Sequence, residues 1–181
     1  MLYNCLIHLL KVIFLLKKTL PYLLIFLAFI LLVGFLFAVN TRIIPQLAGA
    51  DSLRVPWMGA RAFLFEGTNP YTAEFAQEMQ VAISGQPASE DEPPRRLDIP
   101  FYLLALYFPF AAIEDFTLAR ALWMSFAELA LFGIGWLSIY LSEWRASRLN
   151  LILFFSALFF SFYGLYPLLE GSGAIFIALI L

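Results

Sequence analysis

Apolar residues run without a charge from Leu20 to Val39, preceded by Lys17-Lys18 and ended by Asn40. That matches the ~20 residues a helix needs to cross the hydrocarbon core of a bilayer, so 20–39 reads as a first span. Ahead of it, Leu2 to Leu16 is apolar but short, and Lys11 interrupts it. An interfacial lead-in helix over 1–19 fits that pattern better than a second crossing. The run passes straight into a span with no small-residue cleavage site, which argues against a cleaved signal peptide. Leu118–Leu141 and Leu149–Tyr166 read as the next spans, joined by the short basic stretch Ser142 to Arg148. The positive-inside rule puts Lys11, Lys17, Lys18, Arg145 and Arg148 in the cytoplasm. The stretch 40–117 then begins and ends on the outer face.

Ile99 to Ile113 tests that topology. It is apolar, but at about fifteen residues, with Pro100 and Pro109 inside, it is too short and broken for a comfortable crossing. It reads as a juxtamembrane or re-entrant helix; the competing reading makes it a span and puts Arg145 and Arg148 outside. Within the outer loop, Pro56 suits a first helical position, with Trp57, Ala60, Phe63 and Leu64 following at helical spacing up to a stop at Gly67. Asn69-Pro70 is turn chemistry. A second amphipathic helix is expected from Thr72 to Ile83, with Phe75, Met79 and Ala82 on one face and Glu74 in its first turn. Ser84 to Leu97, rich in Pro, Ser and acid, reads as a mobile outer segment. The last residues, 172–181, look like the start of a span cut short, so a longer parent protein is expected. The expected fold is therefore all-α: a polytopic transmembrane helical protein, truncated, with a long outer loop carrying juxtamembrane amphipathic helices.

Composition agrees with that class. Hydrophobic residues make up 62% of 181 positions and charged ones 13%, against roughly half and a quarter in soluble domains. The net charge of −2 gives no reason to invoke nucleic acid. Cys5 is the only cysteine and His8 the only histidine, which excludes an intrachain disulfide and leaves His8 reading as a packed or interfacial residue.

The informative charges are few. Asp51, early in the loop, is by itself an N-cap or a solvated acid. Glu66, Glu74, Glu78, Glu90, Asp91 and Glu92 read as solvated. Glu128 sits near the middle of a span, where a charge costs ~3 kcal/mol or more unless paired, protonated or facing water. It is either a packing hydrogen bond or part of a pathway. Glu170 follows the third span just before Gly171-Ser172-Gly173 and emerges on the same side as Asp51. Two carboxylates facing one aqueous pocket suit a base and a substrate or metal contact. Arg54, Arg61 and Arg120 fall near the same interface, where arginine either snorkels as an anchor or holds a phosphate through two N–H donors. No phosphate-binding glycine loop, nucleotide fingerprint or metal-spaced cluster is present.

Taken in order, these features resemble the GT-C class of polytopic glycosyltransferases from the first span to the chain end. Asp51 matches an early loop aspartate, and Trp57, Gly59-Ala60 and Gly67-Thr68-Asn69-Pro70-Tyr71 match an aromatic, small residues, then Gly-x-Asn-Pro-Tyr. Asp98 to Phe101, Pro109 and Ala119 to Trp123 stand where the family has an aromatic-Tyr-Pro-Pro-Leu segment, a proline and Ala-x-x-Leu-Trp; the double proline is absent here. Gly171-Ser172, with Glu170 beside it, stands for a Gly-Gln motif. The chain is most similar to the mannosyltransferase-like branch of family eighty-seven. That resemblance implies a multi-pass enzyme of the bacterial plasma membrane, transferring a mannose-like hexose from a polyprenyl-phosphate donor to a glycan or glycolipid hydroxyl. It casts Asp51 as general base and Glu170 as a companion acid. Arg54, Arg61, Arg120 or a divalent cation would steady the leaving phosphate, and Gly67, Asn69, Pro70 and Tyr71 would shape the loop. The alternatives are a non-enzymatic transporter or assembly subunit, and a ligase sharing the lipid donor.

Overall fold

The computed structural model describes residues 2–47, 49–88 and 93–181, with side chains from Thr19 onward. The side chains of Cys5, His8, Lys11, Lys17 and Lys18, and the whole of Glu90, Asp91 and Glu92, therefore lie outside the described residues. Among those described, every regular element is helical.

The chain divides into two compact units, Met1–Val39 and Asn40–Leu181. Helix α1 runs over Leu2–Ile43 as one continuous helix, and its residues up to Val39 belong to the first unit; no break separates the expected lead-in from the span, and the helix outlasts Val39. Pro21 lies inside it without ending it. The stretch Thr19–Gln46 is long and apolar enough to cross a membrane.

The second unit begins with the last residues of α1, from Asn40; a short 3-10 turn, Ile44–Gln46, follows, and then α2, Asp51–Arg61, which closes in a π-helical turn over Ala62–Glu66. The expected start at Pro56 is thus too late: the helix begins at Asp51 and takes Pro56 into its interior. Pro56 removes the N–H that would bond the Ser52 carbonyl, and Ser52 lies on the exposed side of the helix, where water can take that place. The stop at Gly67 is as expected, with the glycine at φ +65°. Helix α3, Ala73–Ser84, begins after Thr72, whose hydroxyl accepts the Phe75 amide. Its buried face is Phe75, Ala76 and Met79, whereas Ala82 is exposed.

Phe101–Ala111 is a broken helical stretch: α4 (Phe101–Leu104), a 3-10 turn (Ala105–Tyr107) and α5 (Phe108–Ala111). It is shorter than the ~20 residues a crossing requires, and it lays Leu104, Tyr107, Phe110 and Ala111 into the core against α2. Helix α6, Phe116–Leu141, is capped by Asp115, whose carboxylate accepts the Leu118 amide, and is the second helix able to span. The expected span over 149–166 is built from two helices, α7 (Arg148–Phe160) and α8 (Phe162–Glu170), bent by 46° at Ser161; together they are long and apolar enough for one broken span or a re-entrant loop. Helix α9, Ala174–Ile180, packs on α6. Trp123 of α6 is the centre of the core, fully buried, stacked on Tyr107 and edge-on to Phe110 and Phe176.

Candidate functional site

The turn that launches α2 uses two left-handed residues, Gly49 at φ +88° and Ala50 at φ +77°. A Cβ at position 49 would stand 2.9 Å from a Glu170 carboxylate oxygen, so this glycine lets the α8 terminus close onto the turn before Asp51. From there α2 has two faces. Leu53, Trp57 and Ala60 recur at helical spacing and are buried, and the Trp57 indole N–H donates to the Phe110 carbonyl at 3.1 Å. Asp51, Ser52, Val55 and Pro56 face a cleft of about 510 Å³.

The other walls of that cleft come from distant parts of the sequence. Arg95, Arg96 and Asp98 line it from the irregular segment after α3, Leu103, Leu106 and Tyr107 from the broken helix, and Ser172, Gly173 and Ile177 from the start of α9. It is thus charged on one side and apolar on the other. Arg95 donates to the Asp51 carboxylate, an ion pair between two half-exposed side chains. Such exposed pairs contribute roughly 0–1 kcal/mol, so this one is easily exchanged. Tyr107 seals the floor: its ring is buried, and a Cβ at position 173 would lie 2.7 Å from its hydroxyl. Burial pushes its phenol up to about 12; a hydrogen bond with the Gly173 backbone opposes that rise and the Asp98 charge adds to it.

The arginines expected to meet phosphate stand outside this lining. Arg61 donates to the Ala111 carbonyl at 2.8 Å and lies over the rings of Trp57 and Phe65. Arg120 is buried and donates to the carbonyls of Leu47 (3.1 Å) and Leu169 (2.9 Å), tying the turn after α1 to the end of α8, with Glu170 as its nearby charge. Arg54 covers the Phe116 ring. Glu170 is not part of the cleft lining either. The loop from Gly67 to Tyr71 is built as a turn: the Asn69 side chain accepts the Tyr71 amide, Pro70 is buried against Gly59, and the Tyr71 hydroxyl donates to the Ile99 carbonyl at 3.0 Å. It thereby fixes the segment carrying Arg95 to Asp98. Glu66, Glu74 and Glu78 are exposed. Glu128 accepts from the buried Asn40 side chain at 3.3 Å, and the same Asn40 amide also donates to Ser125.

Arg95, Arg96 and Tyr107 have no place in the expectations drawn from sequence. The adjacent pair Arg95-Arg96, following an acidic run and two prolines, is the one local signal that marks them. Among the described residues no three of His, Cys, Asp and Glu gather as they would around a metal ion. No known protein family, curated protein or solved structure matches this chain.

Proposed function

We propose that the protein is a membrane glycosyltransferase of GT-C type, moving a hexose from a polyprenyl-phosphate donor to an acceptor hydroxyl at the outer surface of a bacterial plasma membrane. The observation that carries this reading is the setting of Asp51. Its carboxylate faces a cleft with one charged wall and one apolar wall, on a chain rich in membrane-crossing sequence. A free sugar hydroxyl is too weak an acid to ionise at neutral pH, so a carboxylate base takes its proton as the oxygen attacks the anomeric carbon. The bond to the phosphate oxygen breaks on the opposite face and the configuration inverts. The leaving phosphate gains charge, which a guanidinium in the cleft offsets. The resemblance of Asp51 and of Gly67 to Tyr71 to this class supports the same assignment.

The reading of the protein as a transporter has Glu128 lining a path. The bond from buried Asn40 to Glu128 suits a packing role instead. The two readings part on one experiment: purified protein is given labelled polyprenyl-phosphate hexoses and release of polyprenyl phosphate is followed. Asp51→Asn is expected to lower the rate by at least about 100-fold, the lower range for loss of a general base, while Glu128→Gln retains transfer. No release from any labelled donor by the wild type rejects the enzyme.

A further inference from the structure

The group that this reading needs free is the one the fold ties up. The Asp51 carboxylate is held by Arg95. Both side chains remain exposed, Arg95 by 40% and Asp51 by 48%, so a ligand in the cleft reaches each of them. Their supports differ. Asp51 stands on α2, which is anchored through Leu53 and Trp57 in the core. Arg95 belongs to residues 93–98, which have no regular secondary structure; Leu97 anchors that segment in the core and the Arg95 amide donates to the Gln80 side chain at 3.3 Å, so the part able to move is its long, exposed side chain. The guanidinium is therefore the partner free to turn. Arg96 lines the cleft beside it, and Leu103, Leu106 and Ile177 form the apolar wall.

A guanidinium grips carboxylate and phosphate with the same forked donors, and prefers neither strongly when both are exposed to water. A carboxylate resting on such a fork inside an open cleft occupies the place of a ligand anion. We infer that Arg95 is the anion-binding group of this cleft, that Asp51 occupies it when no ligand is bound, and that a phosphate ester bearing an apolar chain displaces Asp51 from it. The phosphate then lies on Arg95 with its chain along Leu103, Leu106 and Ile177, and the carboxylate is released towards the acceptor. Donor binding and exposure of the base become one event, and no free base stands in the cleft without a donor. This rests on the glycosyl-transfer reading only for the purpose of the exchange; the exchange itself is a binding property.

It is tested by binding alone, with no sugar present. Farnesyl phosphate, farnesol and inorganic phosphate are titrated by calorimetry into the full chain in detergent, as wild type, Asp51→Asn, Arg95→Gln and the double variant. Removing the internal competitor is expected to tighten farnesyl phosphate by about fivefold, the factor that ~1 kcal/mol of lost pairing gives. A misfolded variant does not gain affinity, so that result also reports on folding. Farnesol should show no such gain. In the Arg95→Gln background, Asp51→Asn should have no effect, because the two residues act through one bond. Unchanged or weaker binding by Asp51→Asn overturns the inference. So does tightening that persists without Arg95, which is simple relief of charge repulsion. Equal affinity for inorganic phosphate overturns the assignment of the apolar wall to a lipid chain. Transfer activity with no tightening in Asp51→Asn leaves the enzyme standing and rejects the exchange; tightening without transfer does the reverse.

Discussion

Tyr107 has its ring in the core and its hydroxyl at the cleft floor, and that position sets its chemistry. The ring stacks on Trp123 with centroids 4.7 Å apart and is 4% exposed, so a phenolate there loses most of its hydration. Its pKa is pushed from 10.0 to about 12. The folded state holds the proton more tightly than the unfolded chain. The stability it confers is accordingly intact below pH 10 and is lost as pH climbs from 10 through 12, by about 3 kcal/mol in total. The difference between the phenolate absorbance titrations of the wild type and Tyr107→Phe should show one step near pH 12; a step at 10 means a solvated ring. At this scale the sequence was legible where a charge broke an apolar pattern, as Asp51 does. It was silent on Arg95, whose partner lies 44 positions away. It left Arg61 and Arg120 open between anchor and phosphate ligand, because the carbonyls of Ala111, Leu47 and Leu169 that receive them belong to the backbone and leave no mark in side-chain identity.

The joint between α7 and α8 shows how an element can be hidden by its own composition. Leu149 to Tyr166 is apolar throughout apart from small polar residues, and hydropathy registers only a run of sufficient length. The bend comes from Ser161, whose hydroxyl accepts the Gly164 amide and restarts the helix. Gly164 is what allows the turn to close: a Cβ there would lie 1.9 Å from the Leu158 carbonyl oxygen. That atom is backbone and cannot swing aside. Gly164→Ala is expected to cost about 3 kcal/mol. Gly133→Ala, which meets only the flexible end of Leu179 at 3.2 Å, should cost clearly less. Thermal unfolding in detergent compares the two, and equal midpoints mean that the joint is not closed as tightly as its geometry states. The start of α2 escaped for a related reason. Proline marks a first turn reliably only as a tendency, and the left-handed pair Gly49-Ala50, which does start the helix, carries one glycine and no side-chain cap.

For the molecule as a whole, run length was the legible quantity, because crossing hydrocarbon is a requirement on length and polarity alone. It found the helices over Thr19–Gln46 and Phe116–Leu141 and set Phe101–Ala111 apart as too short. Sidedness rests on different physics, the bias of Lys and Arg towards the cytoplasm, and it decides which side of the membrane the cleft faces. If Phe101–Ala111 does not cross, the residues on either side of it share one face of the membrane, and the basic loop after α6 lies on the other. The single cysteine makes this testable. In a Cys5→Ser background, Gln77→Cys on α3, Glu114→Cys before α6 and Ser147→Cys after it each place a thiol at an exposed position. A membrane-impermeant maleimide applied to intact cells should label the first two alike and reach the third only after permeabilisation. Labelling of Gln77→Cys and Glu114→Cys from opposite sides instead makes Phe101–Ala111 a crossing. Arg145 and Arg148 would then lie outside, against their charge bias. The cost of that arrangement falls on a stretch interrupted by Pro109 and with too few residues to cover the core, which is why the shared face is the expected result.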